Sequence, residues 1–244
     1  MEVNPRGHVN GRPANLARIT PSKSITARDL SALYARVFAA SSVPQRTILK
    51  YRPFVCPFEE LVPCVPEGAS VFDIGCGCGL FLLALAFAGK RISGVGVDAA
   101  PDATSAAMLA ARIPEIEATG SMLSFESAAG VDGWPTGQFD VVSLIDVLHH
   151  IPAAEQRAFI AAAVARVKPG GVFIYKDMCR RPAWRAWANR LHDLVLARQW
   201  IQYRPIAEVR EWTASLGVVE QSRQDFARLW YGHELCVFYK SGGG

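Results

Sequence analysis

Residues 71–81, read as VFDIGCGCGLF, constrain the fold more than any other part of the chain. An apolar run (Val71, Phe72, Ile74) carries one acid, Asp73, and breaks into Gly75-x-Gly77-x-Gly79. It resumes as an apolar stretch over residues 80–86 that can form a helix. The pattern predicts a strand, a tight turn and a helix. Glycine serves where backbone takes positive φ, or where a ligand approaches with no Cβ in the way. Such a turn also aims the first N–H groups of the helix at whatever binds there. A second strand-like run over residues 92–97 ends in Asp98, an acid suited to a ribose diol. Together they read as a nucleoside-binding βαβ unit.

The glycine spacing narrows the nucleoside. Dinucleotide binders use G-x-G-x-x-G with the third glycine inside the helix, whereas Leu80 and Phe81 follow Gly79 here. Asp73 two residues before Gly75-x-Gly77-x-Gly79 resembles motif I of the class I S-adenosylmethionine-dependent methyltransferases. Further along, the buried-strand pattern of residues 138–146 ends in Asp146 and runs into Val147-Leu148-His149-His150. This resembles motif IV of the same family. A helix then joins a strand through Lys168-Pro169-Gly170-Gly171, a junction also typical of it. The resemblance covers residues 69–177. It implies an α/β fold with a doubly wound, mainly parallel seven-stranded sheet, Rossmann-like, and S-adenosylmethionine as cofactor. It places cofactor contacts at Asp73, Gly75, Cys76, Gly77, Gly79, Asp98, Ala99 and Asp146, with Glu126 and Ser127 beside the adenine.

The rest of the chain supports one large domain with additions. Residues 1–24 are rich in Pro, Gly, Asn and Arg without apolar period and read as a flexible basic arm. Residues 25–66 read as an N-terminal helical cap: Leu30, Leu33, Tyr34, Val37 and Phe38 recur at helical spacing with Thr26 as cap. A second short helix is expected over residues 45–51, after an interruption at Pro44, and a third over 59–64. Residues 67–244 form the methyltransferase-like domain, with further helices over 101–112, 153–167 and 205–216. Pro114 is expected to stop the first of these. Remaining strands are expected over 122–126, 172–175, 218–225 and 235–240, the last two as an antiparallel pair. The alternation of strands and helices argues parallel strands with helical crossovers and ligands at their carboxyl ends. Residues 176–204, rich in Trp, Arg and His, read as a helical lid inserted over the acceptor.

Charge and cysteine content bound the setting. Residues 1–52 hold nine Lys/Arg and two acids, and the remainder 17 and 20. So basic a front end can meet nucleic acid, an anionic membrane or an acidic carrier protein. Of these, an acidic carrier is retained as a vehicle for the acceptor, and a nucleic-acid partner is not expected. No apolar run approaches the ~20 residues that span a bilayer, and no signal peptide is visible. Six cysteines (56, 64, 76, 78, 179 and 236) do not make a disulfide framework, and Cys56, Cys64, Cys76 and Cys78 lack zinc spacing. A cytoplasmic protein with no metal is the expectation.

Methyl transfer from a sulfonium is an in-line displacement in which positioning supplies much of the rate. A phenolic acceptor, with pKa about 10, must also lose a proton, which makes histidine the first suspect. His149 occupies the position in the resembled motif that often faces substrate, and His192, beside Asp193 in the lid, is the second candidate base. Lys176 and Asp177 face the same cleft in this topology, or else pair to close their strand. Trp184 and Trp187 form an apolar helix face that is either core or a platform for a flat acceptor. The leading expectation is O-methylation of a small phenolic or similar apolar acceptor. C-methylation of a quinone-like or carrier-bound ring is the closest rival, and a catalytically inactive nucleoside-binding partner protein is a rival of another class. The absence of Asn/Asp-Pro-Pro-aromatic after Asp146 counts against nucleobase amine methylation.

Overall fold

A computed structural model describes residues 24–178, 204–228 and 231–242. The basic arm and most of the expected lid, including His192, Trp184 and Trp187, lie outside the described residues.

Five strands run parallel: β1 (Ser70–Ile74), β2 (Ser93–Asp98), β3 (Met122–Ser127), β4 (Phe139–Ile145) and β5 (Val167–Met178). β6 (Val218–Arg228) and β7 (Tyr231–Lys240) form an antiparallel pair, and β7 inserts antiparallel beside β5. The seven-stranded order is β3-β2-β1-β4-β5-β7-β6. The chain therefore winds outward from β1 to β3, then returns to β4 on the other side of β1. That reversal opens a crevice at the carboxyl ends of β1 and β4, where ligands bind in open α/β sheets.

The sheet is buried on both faces, which is why its central strands read as continuous apolar runs. Alternate residues serve opposite layers. Val71, Val141, Ile174 and Val237 pack toward the cap and α4 (Leu80–Phe87). Phe72, Val142, Phe173 and Phe238 pack toward α7 (Gln156–Ala165) and α8 (Ile206–Ser215). α4 is apolar all round because it is enclosed between sheet and cap, with every residue from Leu80 to Ala86 buried.

The cap is built from α1 (Ala27–Val37), α2 (Val43–Val55) and α3 (Phe58–Leu61). Thr26 and Asp29 close a reciprocal capping box at the start of α1, satisfying two otherwise orphaned N–H groups. Buried Tyr34 docks α1 on the sheet layer by donating its hydroxyl to Leu80 O at 2.7 Å. α2 begins earlier and ends later than its apolar pattern indicates. Pro44 does not interrupt it but sits in its first turn, where a missing N–H costs nothing.

α5 (Pro101–Ala111) follows β2, and Pro114 starts the short helix α6 (Pro114–Glu117) instead of simply ending its predecessor. β5 continues to Met178, so Lys176 and Asp177 belong to the sheet and not to an insertion. Among the described residues no helix is long and apolar enough to cross a membrane.

Candidate active site

The glycine turn has the geometry its sequence demands. Gly75, Gly77 and Gly79 all take positive φ (70°, 52° and 73°). The N–H groups of Gly75 and Cys76 both donate to Val97 O, at 2.8 and 2.9 Å, and so tie the turn to the end of β2. A Cβ on Gly75 would fall 2.3 Å from Val147 Cγ2, and one on Gly79 2.5 Å from the Phe125 ring. A Cβ on Gly77 would meet nothing within 4 Å. Two glycines are needed for packing, and the third borders open space.

Asp98 braces this turn. Its Oδ2 accepts from Gly77 N at 2.8 Å and its Oδ1 from Ala100 N at 2.9 Å. A carboxylate offers about four acceptor sites, so lone pairs remain for a diol. Asp73, at the core side of the turn, is 3% exposed and accepts from Ser143 Oγ at 2.7 Å. Burial lifts its carboxyl to about 7, opposed by the Ser143 hydrogen bond and reinforced by the charge of Asp98.

Two cavities meet above the turn. One, of about 590 Å³, is walled by Asp98, Ala99, Ala128, Trp134, His150 and Ile151. The other, of about 290 Å³, lies between α2 and the turn, against Leu49, Arg52, Cys56, Gly77 and Cys78. Gly75 and Asp146 line both and form the junction. The sizes suit a nucleoside with an amino-acid tail.

Glu126 stands elsewhere. It borders a separate cavity with Met108 and Arg112, and Ser127 is exposed at the end of β3. The wall beyond Asp98 is instead made by Ala128, Ala129 and Gly130, two to four residues further on, because β3 and β2 end in register at Ser127 and Asp98. No acid in that position signals this wall in sequence.

Asp146 is the most constrained residue of the site. It follows β4 with φ 56°, the one positive φ among the described non-glycine residues. Lys176 Nζ contacts both its oxygens at 2.7 Å, and an Arg52 guanidinium nitrogen reaches Oδ2 at 2.8 Å. Burial opposes ionisation, but Lys176 and then Arg52, with smaller help from His233 and His149, hold the carboxyl well below the usual range.

The two histidines divide. His149 is 3% exposed, and its Nδ1 lies 2.5 Å from Asp177 Oδ1, which also accepts Met178 N–H at 2.7 Å. His150 is exposed on the larger cavity, its ring centroid 4.1 Å from that of His149. Sequence reasoning did not select His150, Arg52, Trp134 or Ile151. Arg52 carries no motif signal, and Lys176 and Asp177, expected to face the cleft or to pair with each other, pair instead with Asp146 and His149. Among the described residues no group of three or more His, Cys, Asp or Glu could hold a metal ion.

Residues 48–219 match the family model described as a methyltransferase domain. The chain belongs to the class I S-adenosylmethionine-dependent methyltransferases. The methyltransferase is 27% identical over 191 residues to the ubiquinone biosynthesis O-methyltransferase of Xanthomonas campestris pv. campestris (strain B100), covering 77% of each. In fold it resembles an O-methyltransferase family protein from Burkholderia thailandensis, with TM-score 0.66 and 21% identity over 94% of this chain and 67% of that one. It also resembles the magnesium protoporphyrin IX methyltransferase of Synechocystis PCC 6803 with bound S-adenosylhomocysteine, with TM-score 0.65 and 19% identity over 86% and 94%.

The residues present fit S-adenosylmethionine, the enzyme's cofactor. Asp98 and the apolar Ala128 and Ile151 suit the nucleoside, and the open flank of Gly77 leaves room for backbone approach. Arg52 and Asp146 supply opposite charges for a zwitterionic amino-acid end in the smaller lobe.

Proposed function

We propose that the methyltransferase methylates a hydroxyl oxygen on a small apolar aromatic or quinone-like acceptor. S-adenosylmethionine, when bound, supplies a methyl group on a sulfonium that is open to in-line attack. The observation that carries the O-methyl reading is the His149–Asp177 hydrogen bond beside the junction residue Asp146. Asp177 holds the buried imidazole through Nδ1 and so orients the ring, as an acid does for a general-base histidine. His149 would take the proton that the acceptor hydroxyl loses, leaving its oxygen able to accept the methyl group.

Asp146 cannot take that proton, since two cations keep it ionised. The resemblance to ubiquinone biosynthesis O-methyltransferases supports the same acceptor class. The basic charge of residues 1–52 supports delivery of the acceptor by an acidic carrier.

The test offers the purified enzyme a panel of phenols, catechols and hydroquinones with methyl-labelled cofactor, and locates the label by mass spectrometry and NMR. An oxygen-linked methyl is expected. His149→Gln should lower kcat/KM by roughly 10²-fold or more, the usual worth of a general base, with S-adenosylhomocysteine affinity unchanged. A carbon-linked methyl, or full activity of His149→Gln, overturns the reading.

A further inference from the structure

Asp146 holds a left-handed backbone conformation, at φ 56°, that residues other than glycine seldom adopt. Such a conformation persists where neighbours over-determine it. Lys176 supplies most of that determination. Its Nζ contacts both Asp146 oxygens at 2.7 Å, and its carbonyl accepts the Asp146 N–H at 2.8 Å. The lysine is fully buried, which is rare for this residue type unless paired. A buried ion pair is weak evidence of stabilisation, because well-packed apolar side chains commonly serve folding as well or better. The pair sits at the one junction shared by the two lobes of the site.

We propose that Lys176 is a positioning residue for cofactor binding and methyl transfer, pinning the Asp146 carboxylate and its strained backbone at the junction of the two lobes. The pin does two things. It fixes the direction in which Asp146 faces the cavities, and it keeps the carboxylate anionic beside a cofactor whose sulfonium and ammonium groups are positive. Arg52 reaches the same carboxylate from α2, so the cap shares the anchored point. The groups that bear on Asp146 are Lys176 from β5, Arg52 from α2, His233 from β7 and His149 from the turn after β4. Lys176 contacts both its oxygens and its backbone.

The experiment is calorimetric titration of the full-length enzyme with S-adenosylhomocysteine across pH 5.5–8.5, for wild type, Lys176→Met, Lys176→Arg, Asp146→Asn and the double variant Asp146→Asn/Lys176→Met. The wild-type profile is the reference, and it includes the titration near 7 of Asp73, which borders the smaller lobe. Lys176→Met should weaken binding by roughly tenfold or more, since half of a buried charge pair is lost. Its affinity relative to wild type should fall further as pH falls, because a buried Asp146 with one cation fewer takes up a proton. Lys176→Arg keeps the charge and should restore the wild-type profile. In the Asp146→Asn background the Lys176→Met penalty should largely disappear, since residues acting through one another are non-additive. A Lys176→Met enzyme with wild-type affinity and the wild-type profile overturns the proposal, as does an additive double variant. If Lys176→Met does not fold, Lys176→Gln, which keeps a donor without the charge, must show the same added loss at low pH. A wild-type profile there overturns it equally.

Discussion

At the scale of single residues, the glycine turn separates packing from ligand approach. Gly75→Ala would drive a methyl into Val147 and hold a left-handed φ as well, so loss of both folding stability and cofactor affinity is expected. Gly77→Ala meets no neighbour and carries only the backbone cost, about 1 kcal/mol. Thermal melting should therefore separate the two sharply. Calorimetry with S-adenosylhomocysteine should show weakened binding for both, since the new methyl at Gly77 enters the smaller lobe. A Gly77→Ala protein that melts as low as Gly75→Ala would refute the distinction. The histidines teach a similar lesson. Two adjacent residues of one type, His149 and His150, differ in exposure although their rings lie 4.1 Å apart: in the single turn of 3₁₀ helix over Leu148–His150 the first is buried against Asp177 and the second borders the larger cavity.

At the scale of elements, the cap is held on the sheet layer by a few polar contacts over an apolar interface. Tyr34 is wholly buried and bonds the first carbonyl of α4, the helix that begins at the glycine turn. Tyr34→Phe deletes that hydrogen bond while keeping the ring contacts with Phe38 and Phe58. A loss of about 1 kcal/mol in chemical denaturation is expected. The KM for S-adenosylmethionine should rise modestly, because α1 carries α2 and hence Arg52. Unchanged stability would show that the apolar contacts alone seat the cap.

At the scale of the whole molecule, two buried carboxylates pull the pH dependence of stability in opposite directions. Asp73 is raised to about 7 from an ordinary value of 3.8, so the folded state binds the extra proton between those limits. Stability from this group is present below pH about 4 and is lost as pH rises toward 7. Asp146 is depressed, so its contribution is present above the ordinary carboxylate range and is lost as pH falls below it. A melting profile should peak on the acid side of neutrality. Asp73→Asn can still accept from Ser143, and should raise Tm at pH 8 by roughly 2–4 °C per kcal/mol recovered while changing it little at pH 4. An equal shift at both pH values would show that Asp73 is not protonated in the folded state.

The linear chain already determined the elements whose signal is local. Residues 71–81 specify strand, positive-φ turn and apolar helix through side-chain period and the steric freedom of glycine, and the structure has them in place. Asp98 and Asp146 were legible as acids ending apolar strands, and the doubly wound sheet followed from the alternation of strands and helices. What needed the tertiary structure was every relation between distant segments. Arg52, Asp146 and Lys176 lie far apart in sequence and meet only because α2 folds over the carboxyl ends of β4 and β5. Glu126 and Ala128 differ by two residues, and only the register of β3 on β2 decides which of them walls the larger cavity. His149 lies against Asp177 because parallel β4 and β5 end side by side, a fact of strand order and not of local composition. Side-chain period and backbone sterics act over a few residues and are written in the chain. Register, burial and charge pairing depend on which surfaces the fold brings together.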